Sequence, residues 1–152
     1  MEEYLNVGEK APDFESVDQE GKKIKLSHFK GSPVVLYFYP KDNTPGCTAE
    51  ACNFRDNLES LQSHGIKVLG VSVDDEKSHK KFQEKYNLNF PLVVDDRKSI
   101  TESYKAKGMF GAKRITYIID GDGKIAFVYP KVKPNGHAVE VLEKIKELKL
   151  VE

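Results

Sequence analysis

The sequence predicts an α/β sandwich, a mixed central sheet covered by helices, and three observations carry that reading. Short β-prone apolar runs, Val34 to Tyr39 and Ile66 to Val73, alternate with segments of helical periodicity, as expected of strands buried on both faces between helical connections. Late in the chain, Ile115–Ile119 and Lys124–Tyr129 flank Gly121-Asp122-Gly123, a hairpin signal that adds antiparallel pairing to the sheet. No repeat, low-complexity tract or Pro/Gly/Ser-rich linker breaks the 152 residues, so one domain over 1–152 is expected.

In chain order, residues 13–17 and 22–26, either side of Glu20-Gly21, read as an N-terminal β-hairpin. Pro33 introduces Val34-Val35-Leu36-Tyr37-Phe38-Tyr39, and Pro40 ends it, since proline gives no N–H to a ladder. KDNTPG is a turn-rich loop, and a helix over about 46–63 follows. Its apolar residues Cys47, Ala51, Phe54, Leu58 and Leu61 recur at steps of 4, 3, 4 and 3, one face of a helix, and Gly65 is the stop. Ile66 to Val73 is the second strand, and Asp74-Asp75 is placed to cap a helix over 76–86. A short strand at Leu92–Val94, a short helix near 98–105 and the late hairpin follow. A final helix over 136–150 has Val139, Leu142, Ile145 and Leu148 on one predicted face.

Composition excludes several function classes. The 24 basic residues match 24 acidic ones, so the electrostatic footprint of a nucleic-acid binder is missing. The start, MEEYLNVGEK, lacks a basic n-region and an apolar h-region, and six consecutive apolar residues fall short of the ~20 of a membrane span. The expectation is a cytoplasmic protein with neither nucleic-acid nor membrane partners. Two cysteines, Cys47 and Cys52, are too few and too close for the disulfide framework of a secreted domain. In a cytoplasmic chain such a pair points to redox chemistry or metal.

The position of Cys47 is informative. Thr44 suits an N-cap and Pro45 the first helical position, which puts Cys47 in the first turn. Free backbone N–H groups and the positive end of the helix dipole favour a thiolate there, and thiol pKa values fall from about 8.5 to ~3.5–7.5 at such sites. Cys47 is therefore a candidate nucleophile, although the same position also suits an inert buried cysteine. Cys52 lies five residues on, a rise of about 7.5 Å and a rotation of about 140°. The two Cα atoms would stand about 8–9 Å apart on an intact helix, beyond the ~7 Å limit for a disulfide. Bonding between them requires the start of the helix to unwind.

Competing chemistries fit less well. Zinc sites pair C-x2–4-C with a second ligand pair, and His28, His64, His79 and His137 are scattered and read as surface residues. The C-x-x-C of a general disulfide reductase is absent. Gly121-Asp122-Gly123-Lys124 lacks the glycine and helix of a phosphate loop, and Asp95-Asp96 reads as a solvated strand end capping the next helix. Of the 24 basic residues only Arg55, Arg97 and Arg114 are arginines. Arg114, just before Ile115, offers a rigid fork suited to a thiolate and a polar oxygen substrate, although the same position also suits a surface ion-pair residue.

The segment from Tyr37 to Cys52 resembles the active-site loop of the peroxiredoxins, specifically the bacterioferritin comigratory protein (peroxiredoxin Q) subfamily. Pro40, Thr44 and Cys47 meet the family pattern Pro-x3-Thr-x2-Cys, Arg114 matches the family arginine, and Cys52 matches the subfamily's resolving cysteine. Glu50 matches the subfamily too, and either bonds a backbone or arginine group near the site or is a plain first-turn acid. The likeness runs from about Val7 to Leu148.

The resemblance implies a thioredoxin-like fold and a thiol-dependent peroxidase. Cys47 would attack the O–O bond of hydrogen peroxide or an alkyl hydroperoxide and become a sulfenic acid. Thr44 and Arg114 would position the peroxide, and Pro40 would shield it. Cys52 would resolve the sulfenic acid as an intramolecular disulfide, reduced by thioredoxin or a similar dithiol. No metal, haem or flavin is implied. No cysteine follows Cys52, which argues against resolution between subunits, so a monomer or weak dimer is expected. A peroxide-sensing or thiol-switch protein, binding partners or acting as a chaperone through the same pair, is the alternative. Met109-Phe110 is expected either to form an apolar wall near the site or to lie in a partly buried loop.

Overall fold

The computed structural model describes residues 4–151. In chain order its elements are β1 (Glu15–Val17), β2 (Lys23–Lys25), a 3-10 turn (Leu26–Phe29), β3 (Val34–Phe38), α1 (Pro45–Ser63) and β4 (Lys67–Ser72). Then come α2 (Glu76–Tyr86), β5 (Leu92–Val94), α3 (Ser99–Ser103), β6 (Lys107–Gly108), β7 (Gly111–Ala112), β8 (Ile115–Ile119), β9 (Ile125–Tyr129) and α4 (His137–Glu147). The expected N-terminal hairpin forms, with β1 and β2 antiparallel.

The all-apolar β3 lies at the centre of a five-stranded sheet of order β5-β4-β3-β8-β9. It pairs parallel with β4 and antiparallel with β8, so the sheet is mixed as expected. Alternation along β3 divides the core. Val34, Leu36 and Phe38 pack with the N-terminal hairpin and α3, whereas Val35, Tyr37 and Tyr39 pack with α1, α4 and Phe82 of α2. The stripe expected on α1 is buried throughout, from Cys47 to Leu61, and Glu50 is buried with it. Asp75 caps α2 as expected, accepting from the Ser78 N–H at 2.8 Å.

Three expectations change. On α4 the buried face is Ala138, Val141 and Ile145, while Val139 is 46% exposed and Leu148 also faces solvent. Asp95 is buried rather than solvated, because its carboxylate accepts the N–H groups of Ile100 at 3.1 Å and Thr101 at 2.7 Å in the first turn of α3. Met109 and Phe110, at 89% and 88% exposure, are neither wall nor partly buried loop. They form the tip of a tight hairpin of β6 and β7 that the sequence reading did not anticipate.

Candidate active site

The site is built where β3 runs out. The ladder continues for one residue, Tyr39 N–H donating to Val71 O at 3.0 Å, and the half-buried Pro40 then turns the chain into the loop before α1. Thr44 occupies the N-cap position with extended backbone (φ −92°, ψ 155°) but its side chain caps nothing. Its hydroxyl donates instead to the Lys41 carbonyl at 2.9 Å. Pro45 has no N–H, so the first-turn amides left for a ligand are those of Gly46 and Cys47.

Cys47 is buried, in the first turn of α1. Arg114, immediately before β8, arrives beside it because β8 pairs antiparallel with β3 in the register Phe38–Ile115. One guanidinium nitrogen, Nη2, donates to Cys47 Sγ at 3.2 Å, and Nη1 donates to Glu50 Oε1 at 2.7 Å. Glu50 stands three residues after Cys47, on the same helix face. Gly46 leaves room for the approach: a Cβ there would lie 3.0 Å from Arg114 Nη2, so the guanidinium would have to give way by a few tenths of an ångström.

The electrostatics follow from burial. Glu50 is fully buried, which pushes its carboxyl from 4.5 up to about 7, even though the Arg114 charge and hydrogen bond pull it down. Burial also pushes Arg114 down, but the charges and hydrogen bonds of Cys47 and Glu50 outweigh it and hold Arg114 above its ordinary value. The guanidinium is thus a fixed cation bridging a thiol and a carboxyl. Glu50 Oε2 and the Tyr37 hydroxyl are buried without hydrogen-bond partners among the described residues.

Comparison with known proteins identifies the family. Residues 7–128 match the AhpC/TSA family. The chain belongs to that family, the peroxiredoxins. A putative peroxiredoxin bcp of Coxiella burnetii is 46% identical over 149 residues, covering 93% of this chain and 99% of that protein. Among solved structures, peroxidoxin BcpB from Mycobacterium tuberculosis superposes with a TM-score of 0.90 at 31% identity, covering 96% and 99% of the two chains. A bacterioferritin comigratory protein of Xanthomonas campestris, described by its alkyl peroxide reduction activity, gives 0.86 at 33% identity over 93% and 98%. The fold is thioredoxin-like, and the protein is a thiol-dependent peroxidase.

The remaining expected residues of this peroxiredoxin are placed as follows. Cys52 is half-buried on the same unbroken helix as Cys47, and both thiols are free. Pro40 backs onto the β6–β7 hairpin: Gly111, at φ +120°, brings its Cα so close that a Cβ would lie 2.4 Å from the Pro40 carbonyl oxygen. Glu50 is an arginine partner and not a plain first-turn acid. Two of the histidines expected at the surface are buried. His137 bonds Thr116 Oγ1 at 2.9 Å and Glu140 at 2.9 Å, and His79 lies in a polar group with Asp42 and Asp74. Sequence reasoning missed that second group, which borders the Pro40–Gly46 loop. The one available signal was that His79 precedes the buried Phe82 by three residues, on the inward face of α2. Among the described residues no helix is long and apolar enough to cross a membrane.

Proposed function

We propose that Cys47 is the peroxidatic thiol of this enzyme, Cys52 its resolving thiol, and Pro40, Thr44 and Arg114 the groups that receive the peroxide. The observation that carries this reading is the Arg114 contact to Cys47 Sγ at 3.2 Å, at a helix start whose Gly46 and Cys47 amides are uncapped. The Cys47 thiolate attacks one oxygen of R–O–O–H, forming an S–O bond as the O–O bond breaks. The departing oxygen leaves as water or alcohol, taking up a proton, and cysteine sulfenic acid remains. Arg114 and the helix-start amides stabilise the charge moving onto oxygen, a contribution worth about 100- to 1000-fold for a single well-placed donor. The Thr44 hydroxyl orients the peroxide, Pro40 keeps water out, and Glu50 fixes the other arm of the Arg114 fork.

The Cys52 thiol then displaces hydroxide from the sulfenic sulfur, forming an intramolecular disulfide and water. An external dithiol, thioredoxin or a protein like it, returns two electrons and two protons. Hydrogen peroxide and alkyl hydroperoxides are the proposed substrates, the second supported by the Xanthomonas relative. A single domain acting as a monomer or weak dimer in the cytoplasm, where such a reductant is supplied, completes the proposal. The test is peroxide consumption with a thioredoxin system. Cys47→Ser is expected to abolish it, while Cys52→Ser is expected to form sulfenic acid once and then stall. Full activity of Cys47→Ser refutes the assignment of the nucleophile, and undiminished turnover of Cys52→Ser refutes that of the resolving thiol.

A further inference from the structure

The loop that carries Pro40 and Thr44 is held mainly from α2 and the end of β4. Asp42, the third residue before Pro45, is buried. Its carboxylate accepts from the Tyr39 hydroxyl at 2.6 Å, from the Ser78 hydroxyl at 2.8 Å and from His79 Nδ1 at 2.7 Å. Its own N–H donates to Asp74 at 2.8 Å, and the Ser72 hydroxyl donates to the same Asp74 oxygen at 2.7 Å. The next residue, Asn43, takes the left-handed backbone (φ 61°) that asparagine tolerates. Its side-chain oxygen accepts from Lys85 Nζ at 3.2 Å and the Tyr86 hydroxyl at 3.1 Å.

His79 is the centre of this arrangement, and its protonation follows from its partners. Its Nε2 lies 2.8 Å from the Val93 carbonyl oxygen, which only accepts, so Nε2 carries a proton. Nδ1 faces a carboxylate oxygen that already accepts from Ser78. With Asp42 ionised both ring nitrogens donate, which makes the ring an imidazolium with no exposure to solvent. Burial by itself pushes His79 down, but the Asp42 bond and charge, the Val93 carbonyl and the Asp74 charge outweigh it and hold it above its ordinary value. The groups facing it are Asp42 and Tyr39 after β3, Asp74 after β4, Ser78 on α2 and Val93 on β5.

We infer that His79 is a positioning residue for the peroxidase reaction: as a buried imidazolium tied to Val93 of the sheet, it holds Asp42, and through it the Pro40–Gly46 loop that orients Thr44 and the start of α1. This rests on the peroxidase reading above. The loop loses this hold as pH rises through the His79 value, because the neutral ring can donate to only one of its two acceptors. His79 touches neither thiol nor substrate, so its effect on the reaction is one of geometry, where a displacement of about 1 Å at the reacting groups costs up to about 100-fold in rate.

Two measurements on the whole chain test it. The rate constant for Cys47 oxidation by hydrogen peroxide is read by rapid chemical quench and intact mass, since the chain has no tryptophan to report it by fluorescence. His79→Phe is expected to lower that constant about tenfold or more, with the amides of β3 and β8 still protected from exchange. A constant within about twofold of the parent, with only the melting temperature reduced, shows a purely structural role and overturns the inference. The second measurement needs no variant: ring-nitrogen NMR of His79 and amide exchange over 43–47, corrected for intrinsic base catalysis, followed across pH. Two ring protons at pH 7, and loop protection that falls as the ring deprotonates while β3 stays protected, support it. One ring proton at pH 7, or loop protection flat through the His79 titration, overturns it. If the parent chain consumes no peroxide it is the peroxidase reading that fails, whereas the NMR result stands or falls separately.

Discussion

Glu50 gives the sharpest quantitative prediction, because its carboxyl is fully buried beside a single cation and one of its oxygens has no partner among the described residues. Glu50→Gln leaves an acceptor for Arg114 and removes the charge. In the folded chain the carboxyl is held at about 7, against 4.5 when solvated. Between those values the folded state binds more protons than the unfolded one, so stability falls as pH rises through this window and levels off above about 8. At about 1.4 kcal/mol for each pH unit, the loss attributable to Glu50 is about 3 kcal/mol. The glutamine lacks it. Its amide group adds a buried donor costing about 1–3 kcal/mol, but equally at every pH, so the informative quantity is the change in the difference between the two proteins. Urea unfolding of the reduced chains from pH 4.5 to 8.5, both carrying Cys47→Ser so that the neighbouring thiol does not titrate, reads that quantity directly. The difference is expected to move by about 3 kcal/mol in favour of Glu50→Gln toward high pH. A difference that stays constant with pH refutes the reasoning and means that Arg114 fully compensates an ionised Glu50.

Gly46→Ala is expected to lower kcat/KM for peroxide about tenfold by pushing Arg114 off the thiol. The melting temperature should hold or rise, because alanine is the better helix former by roughly 1 kcal/mol; unchanged kinetics would show that the guanidinium shifts without cost. On α4, Val141→Ala should cost about 2 kcal/mol in denaturant unfolding and Val139→Ala less than about 0.5, the reverse of what the predicted helix face requires. Oxidation of the wild-type chain is expected to release amide exchange over 46–52 while 54–63 remain protected. Exchange that spreads through Phe54 and Leu58 would refute that boundary.

The features legible in the sequence were those set by local periodicity or by a short run of residues. β3 is apolar at every position because both of its faces are covered, and the 4-3-4-3 stripe of α1 follows one helix face for four turns. α4 was misread for a geometric reason. Val139, Leu142, Ile145 and Leu148 are separated by threes, and each such step rotates by about −60°. Val139 therefore lies about 120° from Ile145, whereas Ala138, Val141 and Ile145 stay together. The β6–β7 hairpin had no periodicity to find, with only two residues in each strand and a backbone held against Pro40. The buried histidines were illegible because their partners are remote in the chain: His79 meets Asp42 across 37 positions, and His137 meets Thr116 across 21. The place of Cys47 in the first turn of α1 was readable from Thr44-Pro45 and the apolar stripe, but the arm of Arg114 bound to Glu50 depends on the antiparallel placement of β8.

The same packing sets how far the helix start can open for the proposed bond between the two cysteines. From Pro45 to Cys52 α1 is weakly tied: it has a proline at its start, no side-chain cap, and a glycine in its first turn. Its principal side-chain bonds there run from Cys47 and Glu50 to Arg114. The next three residues are anchored to three different elements. Asn53 Oδ1 accepts from the Ala138 N–H at 2.7 Å and so caps α4. Phe54 is fully buried and stacked on Tyr37 at 4.8 Å between ring centres. Arg55 Nη1 donates to the Tyr86 carbonyl at 2.6 Å, at the end of α2. Unwinding through Cys52 gives up a few helical hydrogen bonds that water can replace, the two Arg114 bonds, and the burial of Cys47 and Ala51. One residue further strips the N-terminus of α4, and two further exposes a phenylalanine whose burial contributes about 1.5–3 kcal/mol. Cys52 is therefore the last residue of α1 that can be freed without reaching these three anchors, and the proposed resolving thiol sits at the edge of the stretch that the proposed mechanism requires to unwind.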